Sequence, residues 1–218
     1  MAEYNSVTMQ LLDKKKAIHR IAYNEAYQFW QSEWNTAIEE IGLEGLSVKI
    51  SDKFIAADEI LVLREGVRIA AVALINYIDF NLTPYRDLSY FKVMSEESIN
   101  FLLNNGYRRI MTTTYNIVTK KYRRIRVGKT VMSIAIIGAA LKLFEYQSDF
   151  DVFVGMPLIP SRNHRTLARM SMKNIPGGLV TIHGVQAQFM YVNQGCVNLG
   201  KYDANIKSLF ASSNLMAA

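Results

Sequence analysis

The stretch that most constrains this chain is Val67–Ile78, VRIAAVALINYI. It is apolar at nearly every position, and a run of this kind reads as a strand buried on both faces at the centre of a sheet. An apolar run at Glu59–Leu63 precedes it across Arg64-Glu65-Gly66. Glu-Gly between two apolar runs is a hairpin signal. A sheet centre covered on both sides needs helices around it, and the remaining sequence supplies them. Residues 5–41 read as one or two helices, with Ala26, Trp30, Trp34, Ala37, Ile38 and Ile41 on one apolar face. Leu11, Ile18, Ile21, Ala22 and Phe29 continue a similar stripe upstream. The aromatic residues of this face pack a core or wall an apolar ligand.

Further along, Asp79–Lys92 is loop-like around Pro84. Ser95 caps a short helix that stops at Asn104-Asn105-Gly106. A strand spans Arg109–Thr119, a helix runs from Gly128 to about Tyr146, and Asp151–Leu158 is a buried strand. A basic helix from Ser161 to about Lys173 ends at Pro176-Gly177-Gly178. Strands Leu179–His183 and Val185–Val192 pivot on Gly184, and a last helix covers about Ala204–Phe210. Strand–helix–strand alternation of this kind argues for an α/β layer with a mixed sheet.

Half of the 218 residues are hydrophobic, enough for a sizeable core, and the expectation is one domain. Its parts are an N-terminal helical region at 1–45, a core at 46–192 and a C-terminal tail at 193–218. The net charge of +6 favours an anionic partner: nucleic acid, a phosphorylated cofactor, an acidic carrier protein or a membrane surface. A lone cysteine, Cys196, leaves no disulfide within the chain and fits a reducing compartment. The N-terminus lacks the apolar segment of a signal peptide, and the longest apolar run, Val131–Leu141, is too short to span a bilayer. These features predict a soluble cytoplasmic protein.

Charge concentrates in Thr119–Gly138, TKKYRRIRVGKTVMSIAIIG. Lys120, Lys121, Arg123, Arg124, Arg126 and Lys129 gather there with no acid, between a strand and a helix. Gly128-Lys129-Thr130 is not a phosphate-binding P-loop, because Arg123 stands where that motif requires glycine. No metal-ligand spacing joins His19, His164, His183 and Cys196, and no nucleophilic triad has a local signature. Three readings remain for the basic stretch. It is a solvated charged face, or a nucleic-acid surface with Tyr122 and Tyr115 available for stacking, or a site for a cofactor phosphate. Its position at a helix start, where backbone N–H groups converge, favours the third.

The segment YRRIRVG resembles the acyl-donor loop of the GNAT superfamily of N-acyltransferases, Gln/Arg-x-x-Gly-x-Gly/Ala between a strand and a helix. Arg123 takes the first position and Gly128 the last, with Arg126 in place of the middle glycine. Asn163 matches an Asn-x-x-Ala pattern in a later helix, with Thr166 in place of alanine. The element order over 46–192 is similar as well. The aromatic N-terminal helix and the MTTTYNIVTKKYRR strand most resemble the branch that contains N-acyl amino acid synthases and acyl-homoserine lactone synthases.

This resemblance implies a mixed, mostly antiparallel central sheet flanked by helices, with an N-terminal helical extension. It implies transfer of a medium or long acyl group from an acyl carrier protein or coenzyme A thioester to a small amine such as an amino acid, without a metal. Val118, Arg123, Arg124, Arg126, Val127, Gly128, Lys129 and Asn163 would bind the donor, and an N–H near Val118 would stabilise the tetrahedral intermediate. An acidic carrier protein would dock on the basic surface. The fourth strand has Thr112, Thr113 and Thr114 where family members often place a glutamate, and Met170 stands where many place an acid tyrosine. Glu59, Asp79 and Tyr115 are the remaining candidates for acid–base work. A non-catalytic relative that binds donor without turnover, and a nucleic-acid-binding protein, are the competing expectations.

Overall fold

The computed structural model describes residues 7–40, 50–128, 130–182 and 184–213. Lys129, Ile41, His183 and the expected helix stop at Gly42–Gly45 lie outside the described residues. In chain order the elements are β1 (Val7–Leu12), α1 (Arg20–Glu40), α2 (Ile50–Ala56), β2 (Glu59–Glu65), β3 (Arg68–Asp79) and α3 (Thr83–Arg86). Then come α4 (Glu96–Asn104), β4 (Arg109–Val118), β5 (Arg126–Val127), β6 (Thr130–Val131) and α5 (Met132–Tyr146). The chain continues through β7 (Val152–Gly155), α6 (Asn163–Arg169), β8 (Lys173–Ile182), β9 (Val185–Asn193) and α7 (Asp203–Ala211). Seven strands form a mixed, mostly antiparallel sheet in the order β1-β2-β3-β4-β7-β9-β8, and β5 and β6 pair by themselves.

Two compact units share the chain: Met1–Asn76 with Tyr115–Ala140 and Ala204–Ala218, and Tyr77–Thr114 with Leu141–Asp203. In the first, β1, β2 and most of β3 form an antiparallel meander, with Leu12 opposite Ile60 and Leu61 opposite Ala73. Ala70–Ile75 of β3 are buried without interruption, as its apolar run predicts. Helix α1 covers one face. Ala26 and Trp30 are buried there with Leu12, Phe54, Ile60, Val62, Val72 and Leu74, and Trp34, Ala37 and Ile38 pack against them. The lower part of the stripe does not continue: Leu11 lies in β1, and Ile18 and Ile21 point into solvent.

In the second unit, β4 pairs in parallel with β7 over Ile110–Thr112, and β9 runs antiparallel to both β7 and β8. Its core gathers Phe80, Phe91, Leu102, Ile110, Val154 and Phe189. Helix α4 begins as its sequence predicts: the Ser95 hydroxyl accepts the Ser98 N–H at 3.1 Å.

Four local features differ from what the sequence led us to expect or lie outside it. Residues 7–12 are a strand rather than the start of a helix. Met9 and Leu12 are both buried three residues apart, a spacing that mimics a helical stripe. In a pleated strand the same spacing puts them on opposite faces. Helix α2 was not anticipated. Pro176-Gly177-Gly178 does not end a helix; it lies inside β8, where the pairing with β9 shifts register between Asn174 and Leu179. The fourth correction concerns Gly128, described below.

Phe54 carries α2 onto the core: it is fully buried and touches the rings of Tyr23, Tyr27 and Trp30. Phe54→Ala is expected to lower the unfolding free energy by about 3–5 kcal/mol. Urea titration of the full chain checks this, and a loss below 1 kcal/mol would mean that α2 is not packed as described.

Candidate functional site

The site begins at a backbone anomaly. Tyr115 lies within β4 with φ +50°, the left-handed region that L-residues seldom occupy. That conformation costs roughly 1–2 kcal/mol, so its surroundings must hold it. They do so with two tryptophans one helical turn apart. The Nε1–H groups of Trp30 and Trp34 both donate to the Tyr115 carbonyl, each at 3.0 Å. A carbonyl oxygen has two lone pairs, and the two indoles use both. The same rings meet the Tyr115 ring edge-on, with centroids 5.9 and 5.5 Å away. Burial raises the Tyr115 hydroxyl above the ordinary tyrosine pKa. The hydroxyl thus holds its proton more tightly than a free tyrosine does.

Beyond β4 the chain turns sharply. The Tyr122 and Arg123 N–H groups donate to the Thr119 carbonyl at 2.8 and 3.2 Å. Tyr122 is 2 % exposed, and its hydroxyl donates to Glu65 at 2.8 Å. It anchors the loop and is unavailable for stacking a base. Tyr115 is likewise packed against indoles.

The cations divide into two sets. Lys120 meets Glu40 at 3.0 Å, and Arg123 reaches Glu40 at 3.7 Å while its Nε–H donates to the Val118 carbonyl at 3.1 Å. The hydrogen bond from Lys120, with Arg123 nearby, holds the Glu40 carboxyl below the usual carboxylate range. Arg124 and Arg126 are exposed, and neither has an ion-pair partner among the described residues. Glu40 thus holds part of the loop, while Lys121, Arg124 and Arg126 are exposed without an ion pair among the described residues.

Gly128 is not at a helix start. Arg126 pairs with Val131 and Val127 with Thr130, so Gly128 sits in the two-residue turn of a small hairpin. Helix α5 begins only at Met132. β-Branched Val127, Thr130 and Val131 around a glycine with φ +57° favour that hairpin over an early helix. A Cβ at Gly128 would stand 2.7 Å from Asn205 Oδ1. The amide of Asn205 also donates to the buried Thr130 hydroxyl at 3.1 Å. The hairpin is thereby tied to α7, and a side chain at Gly128 would have to displace that of Asn205.

The remaining candidates are dispersed over the two units. Glu59 opens β2 in the first. Asp79 ends β3 in the second, where its carboxylate accepts the Asn81 N–H at 2.9 Å. Asn163 opens α6, after Arg162 in a left-handed conformation. Sequence reasoning missed the roles of Trp30 and Trp34. The Trp-x-x-x-Trp spacing was the available signal, since buried indole N–H groups need acceptors.

No protein-family model matches the sequence, and no curated protein matches it. Solved structures do. An N-acyl amino acid synthase from uncultured soil microbes, FeeM, aligns with TM-score 0.56 over 94% of this chain and 97% of its own, at 9% identity. The CoA-dependent acyl-homoserine lactone synthase BjaI, solved with SAM and isopentyl-CoA, aligns with TM-score 0.57 over 94% and 89%, at 12% identity. A putative arylalkylamine N-acetyltransferase from the mosquito Aedes aegypti aligns with TM-score 0.57 over 80% and 84%, at 11% identity. The chain has the GNAT fold. The fold expected from the resemblance of the 123–128 loop is therefore present, with a strand at the N-terminus where a longer helix was expected.

Two results test this geometry. Trp30→Phe and Trp34→Phe are expected to show a coupling of roughly 1–2 kcal/mol in a double-mutant cycle, because only the double variant leaves the Tyr115 carbonyl unsatisfied. Strict additivity in denaturant titrations would contradict the shared acceptor. Separately, Glu40 is expected to titrate below ordinary glutamates by carboxyl NMR and to move upward in Lys120→Gln. A lowered folded-state pKa means that the pair operates above the usual carboxylate range and releases as pH falls through the Glu40 pKa. No movement in that variant would contradict the pairing.

Proposed function

We propose that the protein is an N-acyltransferase that moves a medium or long acyl group from a thioester donor to the amine of a small acceptor such as an amino acid. The observation that carries this reading is the left-handed turn at Tyr115 followed directly by an arginine-bearing loop, on a fold that FeeM and BjaI share. The donor is an acyl group on the phosphopantetheine of an acidic acyl carrier protein or on coenzyme A. Arg124 and Arg126 take its phosphate, and the resemblance also assigns Val127, Gly128 and Lys129 to the donor. Arg123, held by Glu40 and Val118, shapes the loop. Asn163 is assigned to the donor on the resemblance of its helix.

In the reaction the acceptor nitrogen attacks the thioester carbon. The C–N bond forms, the C–S bond breaks, and the acyl oxygen is stabilised near the Val118 N–H in the tetrahedral intermediate. The nitrogen loses a proton and the leaving thiolate gains one. Tyr115 is one candidate for this acid–base work. Glu59 and Asp79 are the candidate acceptors of the first, directly or through water. Solubility and a cytoplasmic location accompany this reading; no helix among the described residues is long and apolar enough to cross a membrane.

The test is incubation with acyl carrier protein and acyl-CoA thioesters of varied length and mixed amino acids, followed by mass spectrometry for N-acyl products. Product from either donor is expected, and comparison of the two assigns the carrier. Arg124→Gln with Arg126→Gln is expected to raise the donor KM about tenfold or more with a smaller change in kcat, since uniform binding is lost. Neither product nor thioester hydrolysis with any donor would overturn the proposal.

A further inference from the structure

Two isoleucines face water where the fold does not require them to. Ile18 is 88 % exposed and Ile21 is 76 % exposed. Ile21 lies in the first turn of α1, on the side away from Ala26 and Trp30, which are buried. Farther along the same outer side, Asn24, Gln28, Gln31 and Asn35 are exposed and polar, so the apolar surface is confined to the first turn. A third exposed isoleucine, Ile55 at 59 %, lies in α2. The α2 end is tied to the same region: Lys14 Nζ donates to the Ile55 carbonyl and, at 3.0 Å, to that of Ala57.

Cations are interleaved with these isoleucines. The segment from Lys14 to Ile21 reads KKKAIHRI and contains no acid. Asp13 precedes it and is occupied in the turn, where Oδ1 accepts the Lys15 N–H at 2.8 Å. Lys15, Lys16 and Arg20 are exposed and have no ion-pair partner among the described residues. They crowd the positive end of a helix with no acidic residue in its first turn. Positive charge there opposes the helix dipole, and exposed isoleucine gains nothing from water. Both features are unfavourable in solution, and both are relieved by a surface that is anionic outside and apolar beneath.

We propose that this turn docks the protein on an anionic lipid bilayer. Ile18 and Ile21 enter the boundary between headgroups and acyl chains while Lys15, Lys16 and Arg20 remain at the phosphate level. A protein partner fits less well. The isoleucines stand on a projecting turn among cations, and they supply much less apolar area than a standard protein interface, which buries about 800 Å² per partner. Neither anchor suffices alone, since a small apolar insertion binds reversibly and needs a basic patch beside it.

Co-sedimentation of the full chain with vesicles tests the proposal. Binding is expected to vesicles of phosphatidylcholine mixed with phosphatidylglycerol, not to phosphatidylcholine alone, and to weaken as salt is raised. Ile18→Ser with Ile21→Ser, and separately Lys15→Gln with Lys16→Gln, are each expected to reduce partitioning by about tenfold or more while leaving circular dichroism unchanged. Arg124→Gln with Arg126→Gln is expected to retain binding, which separates this surface from the 120–126 loop. Absence of binding to the mixed vesicles would overturn the proposal. So would binding that survives loss of both isoleucines, or that disappears with Arg124 and Arg126. Self-association removed by the isoleucine variant, with vesicles ignored, would assign the patch to a second copy and also overturn it.

Discussion

The C-terminal half of β4 depends on one carbonyl. Tyr115 adopts a left-handed conformation, and its carbonyl turns toward α1, where two indole N–H groups receive it. Each bond alone is worth little net stability, because water would satisfy the same groups in the unfolded chain. Together they occupy both acceptor positions, and leaving either the carbonyl or the indoles buried and unpaired would be expensive. The cost of the strained residue is therefore offset by a geometry that admits few alternatives. This explains why the aromatic face of α1 is more than filler. Trp30 is core and clamp at once, and Trp34 reaches the same atom from one turn further along.

From that fixed point the loop follows by ordinary means. Buried Tyr122 pins it through Glu65, Glu40 draws Lys120 and Arg123 to one side, and the hairpin at Gly128 closes it before α5 begins. Charge was abundant in the sequence, and the structure sorts it: Lys120 and Arg123 pair with Glu40, and Arg124 and Arg126 are exposed without an ion-pair partner among the described residues.

Much of the fold was legible because burial and local chemistry agreed. Val67–Ile78 is a central strand by composition alone, Ser95 caps α4 as its hydroxyl predicts, and α5 and β7 follow from apolar runs of the right length. The failures occur where a short-range pattern has two solutions. Met9 and Leu12 fit a helical stripe as well as the two faces of a strand, and only pairing with β2 decides between them. Pro176-Gly177-Gly178 has the composition of a helix stop, yet partner strand β9 carries the chain through it with a shifted register. At Gly128 the same glycine suits a helix entry or a hairpin tip, and the flanking β-branched residues select the hairpin. At the site, the arginines were visible by charge and spacing. The Tyr115 carbonyl was not, because a backbone reversal stabilised by residues eighty positions away leaves no local trace.

A crystal structure with a non-hydrolysable acyl-pantetheine thioether bearing a terminal phosphate tests the central claim most directly. The account predicts the phosphate between Arg124 and Arg126, with the acyl oxygen beside the Val118 N–H. An analogue bound away from residues 118–128, or no binding at saturating concentration, would contradict it.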